Sequence, residues 1–281
     1  MYKKSNKKVI LIVCAAAAVL ALAALFVIKN KEGVEYTQIV EGEKLVISVQ
    51  KGDSWSSVIE GGLFSKKSNA PQMAFWLEDM DGKFKATLYV TRQTAVQDWP
   101  DKSYREGRDN LEKQAVLPIW TYKHIMAGVH PIDTCSMCHD RVKSSDKSID
   151  DKPYLDAFTG ATPSGSFVRE VALPPGLESG RYVVCAEINN VIDYNDRFQD
   201  ELPQQFNRYN GISGQPSLFL AGFISTGGRE TIAVLNLAGH GHPAGKDGMV
   251  YSDMTGITTA KDIVQSVDVR YFPRDRDFLK Q

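Results

Sequence analysis

Apolar and polar residues alternate with a period of two along several segments of this 281-residue chain, and that period predicts strands. Residues 44–50 alternate and close at Lys51-Gly52-Asp53, while residues 73–78 and 84–92 flank Asp79-Met80-Asp81-Gly82, whose Asp-Gly pair reads as a hairpin turn. Further strands are predicted at 167–172, 181–189, 217–225, 231–237 and 263–272, separated by turn residues such as Pro174-Pro175-Gly176 and Gly227-Gly228. Seven or eight short strands with this punctuation predict a mainly β domain, an antiparallel sandwich of the immunoglobulin type. One short helix is predicted at 108–115, ending before Leu117-Pro118-Ile119-Trp120. The stretch 122–155 follows neither period and is expected to be a long loop, which inside a compact domain is usually functional or disordered.

The N-terminus follows a third pattern. Residues 9–28 are an uninterrupted apolar or small run, long enough as a helix to cross about 30 Å of hydrocarbon. Lys3, Lys4, Lys7 and Lys8 precede it, and Lys29 and Lys31 follow; the excess in front predicts a cytoplasmic N-terminus with the rest of the chain outside. A cleaved signal peptide is the competing reading, but the apolar run is longer than an ordinary signal core. The expected organisation is therefore a membrane anchor (or signal peptide) over 1–31 and an exported β domain over 32–281, single-pass in the cytoplasmic membrane and facing the periplasm or cell surface.

Charge changes the picture in one respect. Without residues 1–31 the formal charge falls from −1 to −7, because six lysines and no acids are lost. No basic stripe remains of the kind a nucleic-acid binder carries, so nucleic acid is not an expected partner.

The chemistry concentrates in the long loop. Cys135-Ser136-Met137-Cys138-His139 is the C-x-x-C-H pattern by which haem c is attached through two thioethers, with the histidine on the iron. The chain has four cysteines and five histidines, yet Cys135, Cys138, His124, His130 and His139 all fall within this stretch. Covalent haem at Cys135 and Cys138, with His139 as proximal ligand, is one reading. A zinc site is a second, with Cys135, Cys138, His130 and either His139 or His124 as its four ligands. A Cys135–Cys138 disulfide is a third. Adjacent Cys138 and His139 suit haem better than zinc. His130 is the expected sixth ligand of a haem, with His124, His240, His242 and Met126 as alternatives. Cys185, in an apolar strand, is expected to be an inert core thiol. Asp193-Tyr194-Asn195-Asp196, with Glu187 and Asn189 nearby, lacks EF-hand spacing and its glycine and is read as a polar loop.

Beyond the loop comes Asp156-Ala157-Phe158-Thr159-Gly160-Ala161-Thr162. It resembles the D-x-x-[S/T]-G-[A/S]-T motif of proteins in which an extracytoplasmic flavin transferase joins FMN to the last threonine through a phosphoester. The resemblance implies attachment at Thr162, with Asp156, Thr159, Gly160 and Ala161 as the recognition sequence. The alternative is a glycine-containing turn entering the next strand. More widely, segments 75–91, 117–120, 156–163, 180–195, 214–218 and 239–248 are similar to an uncharacterised family of predicted periplasmic β proteins that accompanies flavin transferases and PepSY-type membrane reductases. That similarity implies extracytoplasmic redox work and does not extend to the Cys-x-x-Cys-His loop.

The expected function is a membrane-anchored extracytoplasmic electron carrier bearing haem c and FMN. Its expected partners are the membrane, redox proteins, a flavin transferase and the haem-c maturation machinery. No nucleophile elbow, phosphate loop or carboxylate pair suggests a catalyst with its own substrate. The alternative is an exported β-sandwich binding module whose loop is stiffened by zinc or a disulfide.

Overall fold

Alternation and hairpin chemistry produce strands where the sequence predicts them. A computed structural model of the chain describes residues 40–56, 70–91, 94, 116–124, 126–127, 163–190, 193–199 and 214–274, together with the main chain of 35–37, 57–60, 66–69, 125 and 158–160. Every described residue belongs to one compact unit, Glu35–Gln281. Thirteen strands and one α-helix lie among the described residues.

The chain order is β1 (Glu35–Thr37), β2 (Lys44–Lys51), β3 (Ser57–Glu60), β4 (Lys66–Asn69), β5 (Gln72–Glu78), β6 (Phe84–Thr91) and α1 (Pro118–Met126). It continues through β7 (Phe158–Gly160), β8 (Phe167–Ala172), β9 (Arg181–Asn189), β10 (Leu218–Ser225), β11 (Thr231–Val234), β12 (Asn236–His240) and β13 (Val264–Phe272). One sheet has the order β1-β8-β2-β13-β11 and the other β12-β10-β9-β5-β6-β7; β3 and β4 pair as a separate ribbon. Both large sheets are antiparallel except at one edge each, where β1 runs parallel to β8 and β7 parallel to β6.

The two sheets share one core. Leu45, Ile47 and Val49 from β2 and Val267, Val269 and Tyr271 from β13 alternate inward. They meet Phe75 and Leu77 from β5, Leu88 and Tyr89 from β6, and Val184, Ala186 and Ile188 from β9. Each large apolar side chain enclosed in this way contributes about 1.5–3 kcal/mol. The β5–β6 hairpin turns as its Asp-Gly pair predicts: Gly82 N donates to Asp79 O at 3.0 Å, and Gly82 takes φ +77°, open to glycine. Tyr182, near the start of β9, folds back so that its hydroxyl donates to Glu178 O at 2.6 Å.

Three expectations need correction. The strand predicted over 231–237 is two strands, β11 and β12, in different sheets; Leu235 between them is buried and its N–H donates to Val267 O at 3.0 Å, so the chain crosses the core edge there. The described helix begins at Pro118, inside the segment expected to follow a helix, because proline's fixed φ and missing N–H suit a first helical position. It runs to Met126, so the start of the stretch expected to be patternless is helical. The helix predicted at 108–115 lies outside the described residues.

Candidate functional site

β5 and β9 are buried on both faces, which an exposed sandwich surface would not require. Their outward residues form a second apolar layer. Ala74, Trp76, Val90 and Cys185 pack with Val116, Leu117, Ile119 and Trp120, the last two on α1, and half-buried Val183 and Phe219 extend the layer. The helix is pinned at both ends. Trp120 Nε1 donates to Thr87 Oγ1 at 3.1 Å, and Lys123 Nζ reaches Glu78 Oε2 at 3.1 Å and Gly82 O at 2.8 Å.

At the N-terminus of α1 stands Glu187, a β9 residue with no solvent exposure. Ile119 N donates to its Oε1 at 3.2 Å, Trp120 N to its Oε2 at 2.8 Å, and Ser217 Oγ to Oε1 at 2.5 Å. A carboxylate here satisfies helix N–H groups that have no partner within the helix and faces the positive end of its dipole. Burial nevertheless pushes the carboxyl up to about 7, against the pull of these three donors. Gly241 closes the site. A Cβ at that position would lie 2.5 Å from Ser217 Oγ, 2.7 Å from Pro118 Cγ and 3.1 Å from Glu187 Oε1. Residues of α1, β9, the segment entering β10 and the turn after β12 therefore meet around one buried carboxylate.

The turn after β12 continues onto α1. Tyr122 donates its hydroxyl to Lys246 O, and Gly248 abuts the Tyr122 side chain. Main-chain groups engage both histidines of this turn. His240 Nδ1 lies 2.6 Å from Gly241 O and its Nε2 3.0 Å from Asp253 O, so both nitrogens face carbonyl oxygens. His242 Nδ1 accepts from Ala244 N at 3.0 Å, which places the proton of the neutral ring on Nε2. Burial holds the His242 pKa below its ordinary value.

The other candidate ligands in α1 differ sharply. His124 is fully buried, stacked on Trp120 at 5.0 Å between ring centroids and edge-on to Phe84 at 5.7 Å. Met126, at the helix end, is 82% exposed. Cys135, Cys138, His139, His130, Asp156, Ala161 and Thr162 lie outside the described residues, as does the apolar run at 9–28. Of the flavin-type motif, Thr159 and Gly160 fall in β7, the edge strand paired to β6 with Thr159 opposite Val90 and Gly160 opposite Thr91. Thr91 is part of a buried hydroxyl–amide group. Its Oγ1 donates to Gln72 Oε1 at 2.7 Å, and Thr94 Oγ1 donates to the same oxygen at 3.0 Å.

Two buried charged residues were not singled out as functional from the sequence. Glu187 sits in a run of apolar residues buried on both faces, which was the available signal. Arg169 occupies an inward position between Phe167 and Val171, with its guanidinium 4.3 Å above the Tyr89 ring. Tyr89 is the β6 residue opposite Phe158 of β7. Cys185 is buried and its thiol is pushed far up by burial, which fits an inert core thiol.

No group of three or more His, Cys, Asp or Glu side chains gathers as a metal site among the described residues, and no described helix is long and apolar enough to cross a membrane. Compared with known proteins, the chain matches no protein-family model, no curated protein and no solved structure.

Proposed function

We propose that this chain is a membrane-anchored extracytoplasmic electron-transfer protein, with FMN joined to Thr162 and haem c held by Cys135, Cys138 and His139. The observation that carries the flavin half is the position of β7. Among the described strands Thr159 and Gly160 lie at the end of their sheet, paired to β6, and a sheet edge offers main chain to a modifying enzyme. The haem half rests on the Cys-x-x-Cys-His spacing, and the anchor on the apolar run at 9–28. Together these groups supply one-electron and two-electron chemistry, while the protein supplies position and electrostatics.

We infer that the sandwich is of the immunoglobulin type, and its strand order supports this. The antiparallel neighbours β10-β9-β5-β6 and β8-β2 follow the order of immunoglobulin strands G-F-C-C′ and E-B, with β13 in the place of strand A. The Tyr182 hydroxyl on Glu178 O is the corner bond expected at the start of strand F. Trp76 differs from the immunoglobulin pattern by facing the outer layer, whereas Phe75 and Leu77 face the core.

Full-length protein from a host with haem-c maturation and a flavin transferase tests the function. The denatured band is expected to show haem peroxidase activity and flavin fluorescence. Thr162→Ala should remove only the fluorescence, and Cys138→Ala should disrupt haem attachment. A band with neither signal overturns the electron-carrier reading; intact mass then distinguishes a zinc-bound from a disulfide-bonded loop in a binding module.

A further inference from the structure

The first turn of α1 rests on one side chain. Pro118 has no N–H, and the next two amides, Ile119 N and Trp120 N, both donate to the Glu187 carboxyl, whereas Thr121 N donates to Leu117 O at 3.1 Å. Asn189, two residues along the same strand, donates its amide N–H to Val116 O at 2.8 Å ahead of the helix. Towards its other end α1 is fastened separately, by Lys123 Nζ on Glu78 Oε2 and Gly82 O. Glu187 thus holds one end of the helix and not the other.

Nothing around the carboxyl neutralises it. Its donors, two amides and the Ser217 hydroxyl, carry no charge. Ionisable side chains on the elements packed against it include Cys185 on β9, Glu78 on β5, Lys123 and His124 on α1, and His240 and His242 in the turn after β12; β10 has none. Its pKa is nevertheless set by burial and the three donors alone. Ionised in place, Glu187 is an enclosed charge without a counter-ion, and water relieves it. β9 is paired to β5 on one side and β10 on the other. By contrast, α1 has nine residues, marginal as an isolated helix, and packs in the outer apolar layer rather than the main core. The helix end is therefore the part that moves.

We propose that Glu187 is a pH-responsive latch on α1: protonated, it keeps the first turn of the helix on β9; ionised, it favours an opened state in which that turn lifts and water reaches the carboxylate. The latch is independent of haem and flavin. The closed carboxyl is pushed up to about 7 and the opened one returns towards 4.5. Opening is therefore constant below the lower value, rises about tenfold per pH unit between the two, and levels off above the upper, about 300-fold in all.

Hydrogen exchange of the full-length chain from about pH 4 to 8.5, corrected for the pH dependence of intrinsic exchange, tests the latch. Fragments spanning 116–127 are expected to show the rise and the plateau. Their opening should exceed that of fragments from β2 and depend little on added urea, which marks local rather than global opening. Glu187→Gln should make the α1 opening independent of pH. Ser217→Ala keeps the carboxyl but removes a donor to its charged form, so the plateau should begin at a higher pH; this variant decides the matter if Glu187→Gln does not fold. The latch is overturned by α1 opening that is flat with pH in the parent, or that matches β2 in extent and urea dependence. It is equally overturned by a rise that persists in Glu187→Gln, or by a plateau unmoved in Ser217→Ala.

Discussion

Glu187 predicts an unusual pH dependence of stability. Its carboxyl is fully enclosed, its three donors are neutral groups, and burial raises its pKa from 4.5 to about 7. The folded protein therefore holds a proton that the unfolded chain releases between these values. The sign follows from linkage: stability from this group is fully present below about pH 4.5 and is lost as pH rises towards 7. At about 1.4 kcal/mol per unit, the loss across that window is about 3 kcal/mol. Glu187→Gln keeps the shape and cannot ionise. Its carbonyl can still accept from Trp120 N, and its amide can donate to the Ser217 hydroxyl, as the protonated acid would. Denaturant unfolding of both proteins at intervals from pH 4.5 to 8 isolates the group, because every other titration cancels in the difference. The variant should gain about 3 kcal/mol relative to the parent on going from acid to pH 8. A difference that stays flat with pH would refute the reasoning and mean that the helix end and the donors, not burial, govern the carboxylate.

Other perturbations follow from the same packing. Gly241→Ala should cost about 1–3 kcal/mol, because its Cβ meets the Pro118 ring and the Ser217 hydroxyl below 3 Å; the denaturant midpoint reads this. Tyr182→Phe removes the 2.6 Å bond to Glu178 O and should cost about 1 kcal/mol, measured by thermal unfolding. Trp120→Phe leaves the buried Thr87 hydroxyl without its indole donor. A loss of about 1–2 kcal/mol is expected, with hydrogen exchange rising in α1 before the sheets if the helix is the element released.

The strands were legible because their physical signal is local. In β2 and β8 the side-chain period of two is visible residue by residue, and the Asp79–Gly82 turn declares itself through glycine. Pairing across the sandwich is not local, and this is where the reading fell short. β1 and β7 are three residues each, too short to show a period, and their parallel partners lie far along the chain. The break within 231–237 depends on Leu235 facing the core, which no alternation rule marks. The start of α1 is visible in the sequence only as a proline, and its N-terminal cap is tertiary: Glu187, 67 residues from Trp120, accepts the N–H groups that a local Ser or Asp would ordinarily satisfy. The candidate chemistry shows the same division. Cys-x-x-Cys-His and the flavin-type motif are read from spacing alone, whereas Glu187 and Arg169 acquire meaning only when the fold buries a charge that the sequence presents as one polar letter in an apolar strand. Of these, Glu187 ties β9 to the helix that leads into the cysteine loop. A change in its protonation is therefore felt at the N-terminus of α1, whose Ile119 and Trp120 N–H groups it accepts.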